Sequence, residues 1–302
     1  MANNTYILNT RNLIGESSSC LCKLHLPHTD NILLTRDSFL DYRKIRSTLR
    51  DLEFQKWCGL PQKGKGVILF SEHSPANRWV TNHKGLSCSE WRDALKTIGN
   101  VPAVRAIPGR TMNDNRCRHC HNEIETLPHV LGSCPYGETL RNARHHKIRS
   151  TIAQALRKNN FTVYEEVHGI SECGSNRRVD ILAFKDNQRG FIIDPTVRFE
   201  CSSSQPEAVH EEKCAIYQPT VPYYLTKYKL QSITVIGLLV GARGTITKRF
   251  TQFVKDFNLH PSLSQHVCLI AIKYSVYLLR NHIYSTTSDY KQVQVLSYSC
   301  SL

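Results

Sequence analysis

The stretch CRHCHNEIETLPHVLGSC, residues 117–134, places the strongest local constraint on this chain. Three cysteines and a histidine stand there as C-x2-C-x8-H-x4-C. Zinc takes four tetrahedral ligands, and a C-x2-C turn offers two thiolates from one side. His129 and Cys134, nine and fourteen residues past Cys120, can close the other side. The spacing therefore predicts a zinc clasp built from Cys117, Cys120, His129 and Cys134. Four protein ligands leave no open position for a substrate, so this zinc is expected to fasten the chain and to do no chemistry. His121, His145 and His146 are neighbouring alternative donors. A second cluster, SCLCKLHLPH with Cys20, Cys22, His25 and His28, is spaced too tightly for a shared tetrahedral site and reads as ordinary loop.

Charge narrows the partners. Thirty-nine Lys and Arg against 25 Asp and Glu leave a formal +14 and a pI near 9.3. A field of that sign favours polyanions, meaning nucleic acid or an acidic membrane surface. Residues 101–160 hold ten basic against four acidic side chains, while residues 161–302 hold fifteen against twelve. The chain thus reads as a basic platform around the clasp, followed by a region richer in carboxylates. The longest apolar run, ITVIGLLVGA at 233–242, is half of what a membrane span needs, so no membrane partner is expected. MANNTYILNT carries no apolar run of a signal peptide. The twelve cysteines are accordingly expected to be reduced thiols or metal ligands in an intracellular setting.

Periodicity supplies the elements. A helix is expected through SFLDYRKIRSTLRDLEFQKWCGL, and another through SCSEWRDALKTIGNV behind a Ser cap, with AIPGRTMNDN as a loop before the clasp. After the clasp, GETLRNARHHKIRSTIAQALRKN places Leu140, Ala143, Ile148, Ile152 and Leu156 on one helical face, with Arg141, Arg144, Arg149 and Arg157 among the other positions. FTVYEEV, RVDILAF and GFIIDPTVRF read as strands, PEAVHEEKCAIYQ as a helix, and SITVIGLLV as a β-branched strand. KRFTQFVKDF and SLSQHVCLIAIKYSVYLLRNH read as closing helices. The order from residue 140 to residue 257 is α-β-β-β-α-β-α, an α/β arrangement with a small mixed sheet flanked by helices. The expected divisions are a mixed, mainly helical linker region (1–110), the knuckle with its basic helix (111–150), an α/β core (151–258) and a C-terminal helix and tail (259–302).

The second constellation is RRVDILAFKDNQRGFIIDPTVRFE, residues 177–200. Strand alternation puts Phe191, Ile193, Pro195 and Val197 on one face and Asp194, Thr196, Arg198 and Glu200 on the other. A hairpin turning at KDNQRG would bring Asp180, at a strand start, toward Asp194. Two converging carboxylates suit magnesium or manganese. Lys213 and Tyr217 stand one helical turn apart, and a lysine beside a metal and a phosphate can stabilise developing charge. The plainer alternative pairs Asp180 with Arg178, uses Asp194 to cap a strand end and leaves Lys213 in solvent.

Taken together, ETLPHVLGSC, RHHKI, RVD, DPTV and EKCAIY resemble the C-terminal part of the Pol protein of type-1, site-specific non-LTR retrotransposons that insert into ribosomal DNA. The resemblance covers about residues 85–245 and extends more loosely upstream through GKGVILFSEHSPANRWV. It implies a CCHC zinc knuckle with ligands Cys117, Cys120, His129 and Cys134, ahead of a PD-(D/E)XK restriction-enzyme-like endonuclease. It further implies metal-binding catalytic carboxylates Asp180 and Asp194, with Lys213 as a displaced active-site lysine and Tyr217 as its companion. Arg144 and His145 match the family's RH pair, implicated in nucleic-acid handling, and Arg118, Arg141 and Arg149 complete the expected nucleic-acid-binding set. Glu165 or Glu166 is the implied accessory acid before the first strand. Val179 replaces the family's proline before the first catalytic aspartate, and His146 replaces its asparagine after the RH pair.

The implied function is nicking of target DNA, to free a 3′ hydroxyl that primes reverse transcription. The implied cofactors are magnesium or manganese for the chemistry and structural zinc. The partners are DNA and the element's RNA, and the implied location is the nucleus. No YADD-like polymerase motif occurs, so reverse transcription is expected of a longer parent polyprotein. The alternative is a catalytically decayed nucleic-acid-binding zinc-knuckle module.

Overall fold

The computed structural model describes residues 42–83, 85–107 and 114–285. The Cys20, Cys22, His25, His28 cluster lies outside them, as does most of the loop expected before the clasp. The chain divides into two units, Met1–Gly59 and Leu60–Leu302. The described part of the first is helix α1 (Tyr42–Cys58), where a helix was expected.

In the second unit, two short 3-10 turns (Val67–Ser71 and Ser74–Arg78) lead into α2 (Trp79–Asn82) and α3 (Cys88–Ile98). The Ser cap of α3 is Ser87. Its side chain accepts from Glu90 N while Glu90 Oε2 accepts from Ser87 N at 2.7 Å, a reciprocal box that satisfies two otherwise orphaned donors. The clasp carries the short α4 (Leu127–Gly132), and α5 (Glu138–Lys158) follows. The buried stripe of α5 is Leu140, Arg144, Ile148, Ile152 and Leu156, one residue every four. Ala143, expected in that row, is only partly buried, and Arg144 takes the place.

Strands β1 (Thr162–Ile170), β2 (Asn176–Phe184), β3 (Arg189–Arg198) and β4 (Ser232–Gly241) form one sheet in the order β1-β2-β3-β4. The first two pairings are antiparallel and β3 runs parallel to β4, so the small mixed sheet expected from the sequence is present. A parallel pair needs a crossover. Here α6 (Gln205–Tyr217) and α7 (Val221–Tyr228) supply it, joined through the turn Gln218–Thr220. The expected element order lacks α7. Pro219 and Pro222 interrupt the helical pattern there, and its signal is two buried residues, Val221 and Tyr224, whose worth depends on packing. Tyr224 donates to the Val167 carbonyl of β1 at 3.0 Å. Helices α8 (Lys248–Asp256) and α9 (Ser262–Tyr284) close the unit.

Adjacent residues of a strand point to opposite faces. Ile192 packs with Tyr217, Val221 and Tyr224 of the crossover, whereas Phe191 meets Phe161 after α5 and Phe257 after α8. The sheet is thus sandwiched between a crossover layer and a layer holding α5, α8 and α9.

Pairing between β2 and β3 extends only from Phe184↔Gly190 to Ile181↔Ile193. Beyond that step β2 pairs with β1 alone and β3 with β4 alone. The sheet forks, and Asp180 and Asp194 are the first residues on either side of the opening. The β1–β2 ladder also skips Glu166, which has a φ of 52° and stands opposite Asp180, while the register is the same on either side.

Candidate functional site

The clasp is assembled by local rules. Thr126 caps α4 by accepting from His129 N, and Pro128 in the first turn needs no donor there, so ETLPH seats His129 at the start of a helix. The ligand atoms of Cys117, Cys120, His129 and Cys134 all lie within 4.8 Å of one another. Zinc bond lengths of about 2.3 Å to sulfur and about 2.05 Å to nitrogen give tetrahedral edges of about 3.8 Å and about 3.6 Å. Cys117 Sγ to Cys134 Sγ is 3.7 Å and Cys120 Sγ to His129 Nε2 is 3.4 Å, so the donors fit the ion. Burial pushes the Cys134 thiol up to about 12, and a cation is what would make it a thiolate. Backbone donors at Glu123 and Asn122 hold the Cys120 thiol below its usual value. Burial lowers the pKa of the His129 imidazole, and Ser133 Oγ stands 3.2 Å from its Nδ1, leaving Nε2 available to a metal. Among the described residues every cysteine is free.

Around the clasp the sequence missed Glu125 and His282. Glu125 is fully buried and bound by Arg118, including Nη2 to Oε1 at 2.6 Å. Burial works to raise its pKa, but the Arg118 contacts prevail and hold it at about 2. His282, in the last turn of α9, lies 3.2 Å from Glu125 and 3.7 Å from Cys117. Neither has a local pattern that would mark it, since His282 reaches the clasp across 165 residues of sequence.

At the fork, Asp194 is 3% exposed and accepts three hydrogen bonds. Thr196 Oγ1 donates to Oδ1 at 2.7 Å, Tyr217 OH to Oδ2 at 2.8 Å, and Lys213 Nζ stands 3.1 Å from Oδ2. Tyr217 and Lys213 sit on one face of α6, as expected. Burial and the Asp194 charge push the Tyr217 hydroxyl well above its ordinary value, so it stays protonated and donates. Gly237 of β4 pairs with Asp194 and lets α6 come close. A Cβ there would lie 2.9 Å from His210 Cα and 3.0 Å from Lys213 Cβ.

Asp180 is reached from the other helix layer. His145 Nε2 of α5 lies 3.2 Å from Asp180 Oδ1. Burial opposes charge on this imidazole, but the Asp180 hydrogen bond and the charges of Asp180 and Asp194 outweigh it and raise its pKa. The Tyr217 hydroxyl likewise feels the charge of both carboxylates, which flank the opening of the sheet. A carboxylate offers about four lone-pair sites. Asp180 with one hydrogen-bonding partner and Asp194 with three keep lone pairs that a hard divalent cation could use, and these partners are all nitrogen or oxygen.

Several expectations are corrected. Asp180 is central in β2, not at its start, because the strand begins at Asn176. The plainer pairing fails as well: Arg178 faces Glu166 at 3.7 Å, Asp194 lies inside β3, and Lys213 is largely buried. Glu165 and Glu166 lie within β1, not before it. Arg149 binds both, with Arg157 adding to Glu165 and His146 to Glu166.

Arg144 is 2% exposed and donates to the Leu131 carbonyl and Ser275 Oγ, so it holds α5 to the clasp and to α9 and cannot contact nucleic acid. Arg118 and Arg149 are committed to carboxylates, and Arg141 donates to the Cys134 carbonyl. Val179, which stands where the resemblance implies a proline, is a buried core residue.

No protein-family model matches the chain. Over 185 residues it is 29% identical to the "Retrovirus-related Pol polyprotein from type-1 retrotransposable element R2" of Popillia japonica. This chain is similar to part of a retrotransposon Pol polyprotein. The match takes in 60% of the chain and 38% of that polyprotein, so the chain spans about two fifths of the length of its relative. The resemblance read from the motifs is borne out at that level.

Proposed function

We propose that this region is a metal-dependent endonuclease of a non-LTR retrotransposon, with a PD-(D/E)XK-type core that nicks target DNA to prime reverse transcription. The observation that carries the reading is that Asp180 and Asp194 flank the opening where β2 and β3 part, with Lys213 Nζ 3.1 Å from Asp194. The similarity to a retrotransposon Pol polyprotein and the basic charge support it.

Asp180 and Asp194 would hold magnesium or manganese, which supplies polarisation of the scissile phosphate and a lowered pKa for the attacking water. Thr196 and Tyr217 fix the rotamer of Asp194 by donating to its two oxygens. Lys213 balances that buried charge and presents an ammonium to a phosphate arriving at the fork. His145 steadies Asp180 from α5. Cys117, Cys120, His129 and Cys134 would hold a closed structural zinc that braces α5, whose next turns carry Arg144 and His145. Target DNA, the element's RNA and a nuclear location belong to the same reading. No described helix is long and apolar enough to cross a membrane.

The test is nicking of supercoiled plasmid by the purified chain with and without magnesium. Asp194→Asn is expected to abolish nicking while DNA binding persists. Equal nicking by wild type and Asp194→Asn refutes the reading, and tight binding without metal-dependent cleavage by wild type favours the decayed module.

A further inference from the structure

Three contacts join the first ligand turn of the clasp to the end of α9. Arg118 donates to the Ile283 carbonyl at 3.1 Å, and His119 Nε2 lies 2.7 Å from the His282 carbonyl. Carbonyls in the last turn of a helix have no partner within the helix. The Cys117–Cys120 turn therefore acts as a C-terminal cap for α9, with an arginine at the negative end of the helix dipole.

The third contact runs the opposite way. His282 is 2% exposed, and its Nε2 sits between Cys117 Sγ at 3.7 Å and Glu125 Oε2 at 3.2 Å. Both neighbours are acceptors, and a proton on Nε2 serves both. Glu125 cannot turn away, because Arg118 N donates to Oε2 and Arg105 N to Oε1. Cys117, Glu125 and His282 make a second convergent set that shares only Cys117 with the zinc-ligand set.

From this geometry we infer that His282 is an outer-sphere residue of the zinc site: its Nε2–H donates to the Cys117 thiolate, and metal loading holds the last turn of α9 in place. The inference rests on the reading of the clasp as a zinc site. A metal-bound thiolate keeps negative charge in a buried place, and a donated hydrogen bond stabilises it against protonation and against loss of the metal. The tetrahedron is already complete with Cys117, Cys120, His129 and Cys134, so His282 is not needed as a ligand.

The test uses the full chain loaded with zinc or with cobalt. His282→Phe keeps an aromatic ring beside His119 and removes the donor. It is expected to release zinc to a competing chelator about tenfold faster or more, and to shift the thiolate-to-cobalt charge-transfer band. His282→Gln, which restores an N–H, is expected to move both readings back toward wild type. Hydrogen exchange at residues 280–284 is expected to quicken when zinc is stripped from the wild type.

Unchanged release and an unchanged cobalt band in a folded His282→Phe overturn the inference. Loss of zinc as complete as in Cys117→Ser overturns it too, by placing His282 among the ligands. Should His282→Phe fail to fold, the wild-type exchange decides alone, and protection at the end of α9 that ignores zinc overturns it. A wild type that takes up no zinc refutes the clasp reading itself, which is a separate outcome.

Discussion

Asp194 and Glu200 lie six residues apart in sequence, both almost fully buried and each paired with a cation, yet they are held in different ways. Glu200 accepts from Arg243 N at 3.0 Å, Arg243 Nε at 3.0 Å and Thr245 Oγ1 at 2.9 Å. Arg243 in turn donates to the Ile98 and Lys65 carbonyls, and its guanidinium lies 4.4 Å from the Phe199 ring centroid and 5.4 Å from that of Phe70. Every partner is fixed by backbone or by complete burial. Asp194 is held by the tips of three side chains, and its cation is still 16% exposed beside the opening of the sheet. The first arrangement has no freedom to exchange a partner and reads as structure. The second can take a new partner when the Lys213 side chain swings aside, as the proposed metal-binding role requires.

The comparison can be broken by experiment. Arg243→Met leaves Glu200 buried and unpaired and is expected to lower stability by about 3–5 kcal/mol, read as a fall in the urea midpoint. Lys213→Met leaves Asp194 two hydroxyl donors, so a loss of about 1–3 kcal/mol is expected, with nicking down about 10²–10³-fold and DNA binding kept. Equal stability losses, or wild-type nicking by Lys213→Met, would erase the distinction. Tyr217→Phe removes one donor from Asp194 and sharpens it further, with about 1–2 kcal/mol of destabilisation expected in the same urea titration.

The smallest effect is expected at Glu90, which lies outside both regions. Burial raises its pKa, but Ser87, Tyr277 and Lys273 together bring it below the usual 4.5. A carboxyl with a depressed folded pKa contributes stability that is complete above the unfolded value and is lost as pH falls through the folded one. The urea midpoint should therefore drop below about pH 4.5, and Glu90→Gln should flatten that drop at a cost of about 1 kcal/mol near neutrality.

Much of this was readable from local pattern. The C-x2-C-x8-H-x4-C spacing names four residues that do converge, and alternation in GFIIDPTVRF puts Asp194 and Thr196 together. Lys213 and Tyr217 share a helix face because they are four residues apart. What could not be read depends on contacts between distant segments. Arg144 looks like a surface cation until Leu131 and Ser275 are seen to enclose it, and His145, expected to handle nucleic acid, is seen to meet Asp180 only when α5 is laid beside β2. The fork is likewise hidden, since strand patterns say where a ladder runs and not where it stops.

The missing side chain at Gly237 has a consequence for how relatives of this chain should be judged. A methyl group there would press on the backbone of α6 at His210 and on the root of Lys213, lifting the ammonium away from the aspartate it serves. On the proposed reading, such a variant would keep every acid, lysine and tyrosine that a motif survey checks, and still lose nicking. Among drifting copies of such a sequence, one position without a side chain would then separate working from broken better than the proposed site residues themselves.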